Sequence, residues 1–157
     1  KQFGKAHEKY LPDYIWNLSE RQSRILIDSM VCGDGYQCNQ ASTRYYYTSS
    51  KKLADDFQKL CLHAGYAANV SLKKEKGEKL SIKGVLTERR YNHYSITILT
   101  QNCSLEPPVN TDSTKQMEAM VPYNGKVYCC TVPSGVVYVE RKGKPVWCGN
   151  SSRYGQH

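Results

Sequence analysis

The sequence predicts an α+β fold, and three observations lead there. A helix with its own start and stop signals is followed by two short runs of period-two alternation, a second capped helix comes next, and a further alternating stretch succeeds it. Helices and strands in that order build a unit in which helices cover one face of an antiparallel sheet. The other face is left to meet something else. At 157 residues the chain has room for one ordinary domain or two small ones.

The elements come in order. Residues 1–18 are mixed and polar up to Tyr10-Leu11-Pro12-Asp13-Tyr14-Ile15-Trp16, where Pro12 can start a helical turn whose Tyr14, Ile15 and Trp16 need cover. The first helix is predicted over about 19–33. Ser19 is placed to cap it and Gln22 stands where the reciprocal partner belongs, while Ile27, Met30 and Val31 form an apolar stripe. Ser29 and Gly33, four apart, are small residues on one face, which allow a second helix backbone to approach closely. Asp34 hangs at the helix C-terminus between Gly33 and Gly35. The helix dipole is negative there, so a carboxylate in that place asks for a cation.

Strands are predicted at about 36–40 and 43–48, the second setting Thr43, Tyr45 and Tyr47 against Arg44, Tyr46 and Thr48 so that both faces carry polar tips. Ser49-Ser50 caps a helix from Lys51 to His63, with Leu53, Phe57, Leu60 and Cys61 on one stripe and Gly65 as its stop. Two or three further strands fill 66–100, where period two returns, broken by Gly77 and by the Arg89-Arg90 and Asn92-His93 region. Pro107-Pro108 and runs of Asn, Thr, Asp and Ser mark a linker, and Val121 to Trp147 reads as short β strands around a Lys142-Gly143-Lys144-Pro145 turn. That stretch is too small for a core of its own and should complete a sheet whose other strands lie elsewhere. The predicted divisions are 1–110, a linker over 111–120, 121–150 and 151–157.

Composition narrows the function. A net charge of +8 favours a polyanionic partner, nucleic acid before an anionic membrane surface. No apolar run approaches the roughly 20 residues that span a bilayer. Seven Cys at irregular spacing, with no C-x-x-C, argue against a disulfide framework or zinc ribbon and for a reducing, intracellular setting, nucleus or cytoplasm. The absence of an initiator Met predicts a fragment of a longer product. Lys73, Lys74, Lys76, Lys79, Lys83, Arg89 and Arg90 crowd one strand pair, interleaved with Tyr91 and Tyr94. A twisted two-stranded ribbon of this kind fits the major groove of double-stranded DNA, with Tyr45 and Tyr47 as further contacts. An ordinary solvated hairpin is the alternative.

Two stretches resemble one composite family. Ile27 to Gly35 resembles the signature motif of LAGLIDADG homing endonucleases, and Leu11-Pro12, Thr48-Ser49-Ser50-Lys51-Lys52-Leu53-Ala54 and His63-Ala64-Gly65-Tyr66 resemble its flanks in intein-borne members. Val127-Tyr128-Cys129-Cys130-Thr131-Val132-Pro133 through Val146-Trp147-Cys148-Gly149-Asn150-Ser151 resembles the C-terminal splicing blocks of inteins, closest to those interrupting the second-largest RNA polymerase subunit. The tail Ser151 to Gln156 is similar to that polymerase after the insertion point, which makes 151–157 host sequence.

The resemblance implies a LAGLIDADG half-domain over 1–110, with its sheet on DNA, and a short all-β Hint segment over 121–150. It implies that Ser29 and Gly33 face a second signature helix, from an upstream half or a second copy, and that Asp34 is a catalytic ligand of Mg2+. For splicing, which needs no cofactor, it implies that Asn150 cyclises and Ser151 accepts the upstream host segment. The sequence departs from the family at four places. Thr100 and Gln101 replace a basic residue expected late in the last strand, with Lys83 as the candidate substitute; Gly149 replaces the penultimate His; and Gly135 stands where a helper His is common in the preceding strand. Cys129, often an Asp, is then the remaining candidate for proton transfer. Two other functions are alternatives: a catalytically decayed DNA-binding module built on the same basic fold, and a fragment of the polymerase subunit itself, which residues 151–157 alone support.

Overall fold

The computed structural model describes residues 4–37, 43–82, 85–100, 120–128 and 130–149. The chain divides into two compact units, residues 1–103 with 140–145, and residues 104–139 with 146–157.

The first unit opens on a lead-in whose backbone is bonded to side chains at and beyond residue 50. A 3₁₀ turn spans Asp13–Asn17 with Pro12 just ahead of it. Helix α1 is Glu20–Asp34, and its start carries the reciprocal cap: Gln22 N–H donates to Ser19 Oγ at 3.3 Å, and Ser19 N–H donates to Gln22 Oε1 at 2.9 Å. It runs one residue beyond the predicted Gly33 because Gly35 N–H still reaches the Val31 carbonyl. Burial falls on Ser23, Ile27 and Val31, four apart on the inner side. Strand β1 (Gly35–Gln37) and β2 (Thr43–Thr48) lead to α2 (Lys51–His63), whose cap is Ser50, accepting from Leu53 N–H at 3.1 Å. Of the predicted first strand only residues 36 and 37 are described.

After α2 the structure holds four strands where two or three were expected: β3 (Ala67–Lys74), β4 (Lys79–Ile82), β5 (Val85–Glu88) and β6 (His93–Leu99). A turn at Gly77, with φ +90°, and the break at 89–92 interrupt what is one long antiparallel ribbon, both where the sequence breaks its alternation. The main sheet is antiparallel in the order β1-β2-β6-β3, and β4-β5 forms a separate pair. The pairing stacks Tyr46, Ile96 and Val70 in one row and Arg44, Ile98 and Ala68 in the next, all on one face. That face is the inner one. Ile27, Phe57, Leu60, Ile96 and Ile98 are fully buried, and the Tyr46 and Phe57 rings stack at 4.3 Å. Arg44, expected to be a polar tip, instead pairs inward with Asp28 of α1 at 2.7 Å.

Strand β7 (Val136–Arg141) and β8 (Lys144–Gly149) form a hairpin whose turn residues Lys142 and Gly143 both have positive φ, as a type I′ turn requires. Its tip, residues 140–145, belongs to the first unit. There Val70 N–H donates to the Gly143 carbonyl at 2.8 Å, and Gln58 Nε2 donates to the same oxygen at 3.0 Å and to Ala68 O at 2.8 Å. Because β3 is an edge strand, this contact satisfies a donor that would otherwise face solvent. A Cβ at position 143 would overlap the Val70 carbonyl, and φ there is +77°. We expect Gly143→Ala to lower stability by about 1–3 kcal/mol in urea unfolding. An unchanged midpoint would mean the tip contributes nothing to the fold.

In the second unit none of the described residues is buried, and Val127, Tyr128, Val136, Val139, Val146 and Trp147 are all exposed. This agrees with a β segment too small to make its own core. Among the described residues Cys32, Cys61, Cys130 and Cys148 are free thiols, and no helix is long and apolar enough to cross a membrane.

Candidate functional site

Asp34 is placed by its neighbour. Helix α1 runs directly into β1, and Gly35 pairs with Tyr46 on β2. A Cβ at Gly35 would lie 2.5 Å from the Tyr45 carbonyl oxygen and 2.6 Å from that of Val31, so only glycine lets helix and strand meet this closely. Asp34 is thereby held, exposed, at the rim of a cavity of about 300 Å³. Tyr46, Tyr47, Thr48 and Ser49 of β2 and its exit line that cavity, with His93 from the start of β6. Ala6 and Lys9 of the lead-in complete it.

The electrostatics come from the lining. Burial first, and the Asp34 charge second, push the Tyr46 phenol up to about 12, so it stays protonated beside the carboxylate. Burial and then the Arg89 guanidinium lower the His93 imidazole from its ordinary value, which keeps it neutral at neutral pH. Among the described residues Asp34 is the one carboxylate lining the cavity. Among them, too, no group of three or more His, Cys, Asp or Glu could hold a metal ion. Asp34 fits Mg2+ only in company, since that ion is commonly bound by one or two carboxylates together with substrate phosphates.

The position late in the last strand where a basic residue is expected, Thr100 here, is at the wrong end. Strand β6 pairs antiparallel with β2, so Tyr94 meets Thr48 at the cavity while Leu99 meets Thr43 at the far edge. Thr100 continues away from Asp34; Gln101 and Lys83 lie outside the described residues. The basic groups that do line the cavity are Lys9 and His93, neither of which the sequence marks as a site residue. His93 has a weak signal, in the Asn92-His93 break between alternating runs. Lys9 has none, because it arrives through two distant bonds: Ser50 Oγ donates to the Lys9 carbonyl at 2.6 Å, and Leu11 N–H to Asp56 Oδ2 at 3.0 Å.

The sheet's outer face carries the tyrosines. Tyr45 and Tyr47 point there from β2, flanked by Tyr36 on β1 and His93 on β6. Their rings form a row, with centroids 6.4 Å apart from Tyr36 to Tyr45, 6.4 Å from Tyr45 to Tyr47, and 5.7 Å from Tyr47 to His93. Beside the row, a bulge between Leu72 and Lys74 sets Lys74 opposite His93. From 73 to 90 seven Lys and Arg stand against three Glu. Lys74 and Arg89 are partly neutralised by Glu78, at 3.0 and 3.5 Å; Lys73, Lys76, Lys79 and Arg90 are exposed.

The remaining candidates divide. Ser29 and Gly33 lie on the outer side of α1 with Cys32 and Ile25, the last 52% exposed, and nothing stands within 4 Å of a Cβ at Gly33. Gly149 ends β8 and is exposed. Gly135, expected within a strand, sits in the turn before β7 with φ +66°, where an imidazole-bearing residue would be strained. Cys129, Asn150 and Ser151 lie outside the described residues.

Over 181 residues the chain is 34% identical to the DNA-directed RNA polymerase subunit beta C-terminal section of Stigeoclonium helveticum, an alignment that takes in 98% of this chain and 16% of that protein. Over 244 residues it is 25% identical to the ATP-dependent Clp protease proteolytic subunit of Chlamydomonas moewusii, covering 96% of this chain and 24% of that protein. No family model matches the sequence, and no solved structure matches it. The chain thus spans only about a sixth of the first relative and a quarter of the second, from 16% and 24%.

Proposed function

We propose that the chain is the C-terminal part of an intein, a LAGLIDADG endonuclease half followed by a C-terminal splicing segment. One observation carries this reading. Nearly the whole chain, 98% and 96%, is similar to a small portion of two proteins whose names describe unrelated activities, transcription and proteolysis. A segment common to both is most simply one that inserts into host genes rather than one that serves either host. The geometry supports the nuclease half: an acid-ended helix, an outer sheet face of aromatic and cationic groups, and a small-residue helix face left open.

Each group then has work suited to its place. The exposed Lys73, Lys76, Lys79 and Arg90 neutralise DNA phosphates, and the tyrosine row meets base edges. Asp34, with a second carboxylate from a partner helix and with substrate phosphate oxygens, would hold Mg2+. That ion supplies neutralisation of phosphate charge and activation of water. At the other end, Asn150 would cleave its own C-terminal peptide bond by cyclising, with Ser151 as the acceptor. A second reading, DNA binding without cutting, is favoured by the single carboxylate among the described residues of the cavity.

The deciding experiment supplies the polypeptide encoded upstream of Lys1 and assays Mg2+-dependent cutting of duplex carrying the uninterrupted insertion sequence. Cutting by wild type but not by Asp34→Asn is the expected result; binding without any cutting selects the second reading. The partner-helix face has its own test. Gly33→Leu should leave the chain's own unfolding midpoint unchanged or slightly raised, since leucine is the better helix former by about 1 kcal/mol. Association with the upstream half should weaken at least about tenfold by analytical ultracentrifugation, the loss expected when a bulky side chain blocks a close helix contact. Undiminished association would place the partner elsewhere.

A further inference from the structure

We propose that Lys9, together with the Ser49 hydroxyl and the His93 ring, forms a phosphodiester-binding subsite in the cavity beside Asp34. The inference rests on the reading of that cavity as the place where a nucleic acid meets the chain.

Three observations lead to it. Lys9 lines the cavity and no ion-pair partner for its ammonium occurs among the described residues, whereas Lys51, Lys52 and Lys74 are each tied to a carboxylate four residues away. A lysine left unpaired at a cavity wall is free to take a ligand's charge. The backbone at Lys9 is fixed on both sides, by Ser50 Oγ on its carbonyl at 2.6 Å and by Asp56 on Leu11 N–H at 3.0 Å, with Leu11 buried. The ammonium is therefore presented from an anchored segment. His93 is fixed as well, by its stack on Tyr47 at 5.7 Å, and opens onto the aromatic row along which bases would lie.

The lining selects the ligand's chemistry. Four hydroxyl-bearing side chains (Tyr46, Tyr47, Thr48, Ser49) and two nitrogen donors surround a space of about 300 Å³ that holds, among the described residues, a single carboxylate at its rim. Such donors suit a singly charged tetrahedral anion better than a flat apolar group. The carboxylate opposes that anion when no cation lies between them, so the subsite is weak in metal-free solution and strengthened by neutralising Asp34.

The test uses the 157-residue chain and three probes: the dinucleotide dTpT, its uncharged methylphosphonate analogue, and thymidine. NMR signals of the His93 ring and the Lys9 side chain are followed in metal-free buffer. Saturable shifts are expected with dTpT alone. Lys9→Met should weaken dTpT about tenfold, the value of one charge-assisted contact; Lys9→Arg should retain binding; Lys126→Met should change nothing. Asp34→Asn should tighten binding. Equal shifts with the uncharged analogue, or undiminished affinity in Lys9→Met, would overturn the subsite, as would no response to Asp34→Asn. The dinucleotide readout is separate from cutting. Binding that depends on Lys9, in a protein that never cuts duplex when the upstream half is supplied, rejects the nuclease reading and keeps the subsite; cutting that ignores Lys9 does the reverse.

Discussion

With its partner helix supplied, Asp34→Asn is expected to slow Mg2+-dependent double-strand cleavage by about a thousandfold or more, the several kcal/mol that one metal ligand carries. Duplex affinity should hold or rise slightly, because the change removes a negative charge facing phosphates. The fold should not notice. Asp34 is exposed and ends α1 against an unfavourable dipole, so its carboxylate adds nothing to helix stability. The asparagine is close in shape and leaves the tight Gly35 passage alone. Asp28, less than two helical turns upstream, offers a matched comparison. It also sits exposed on α1 but pairs with Arg44 at 2.7 Å. Asp28→Asn should therefore lower stability modestly, with the Arg44 guanidinium left unpaired and mostly buried, and leave cleavage chemistry intact. Cleavage unchanged in Asp34→Asn and lost in Asp28→Asn would move the active centre off the helix end.

What the sequence made legible was local. The Ser19–Gln22 cap, the Ser50 cap and the Gly65 stop, with φ +74°, depend on neighbours within a few residues, and each stands where its spacing predicts. The stripe of Ile27, Met30 and Val31 also faces the core, because helical period alone fixes it. What escaped was non-local. The register of β6 on β2 decides which end of the last strand meets Asp34, and no residue near Leu99 reports it. Arg44 looks like a surface tip until Asp28 is found beneath it. Lys9 reaches the cavity through Ser50 and Asp56, contacts separated by 41 and 45 residues, which leave no periodic trace. The same limit applies to Gly135, whose identity is tied to a backbone angle rather than to a missing imidazole.

Phe57→Ala is the substitution expected to cost the fold most, about 3–5 kcal/mol by the usual scale for emptying a buried aromatic site. Phe57 is fully buried between the helices and the sheet and stacks on Tyr46 at 4.3 Å with planes 12° apart. A small domain holds about 5–15 kcal/mol in all, so the variant should sit near its unfolding transition at room temperature. Phe57→Leu keeps most of the volume and should cost less than about 1.5 kcal/mol. Thiol labelling reads the difference site by site. Cys61 is fully buried and its thiol is pushed up to about 12 by burial, against the opposing pull of Arg44; Cys32 is exposed. In wild type Cys32 should react quickly and Cys61 only through opening of the core. Phe57→Ala should speed Cys61 labelling by at least about a hundredfold while Cys32 is unchanged, in step with the stability lost. The effect extends to function, because Tyr46 both lines the Asp34 cavity and stacks on Phe57. Equal Cys61 rates in wild type and Phe57→Ala would mean that the core around α2 is not the element that holds the cavity in place.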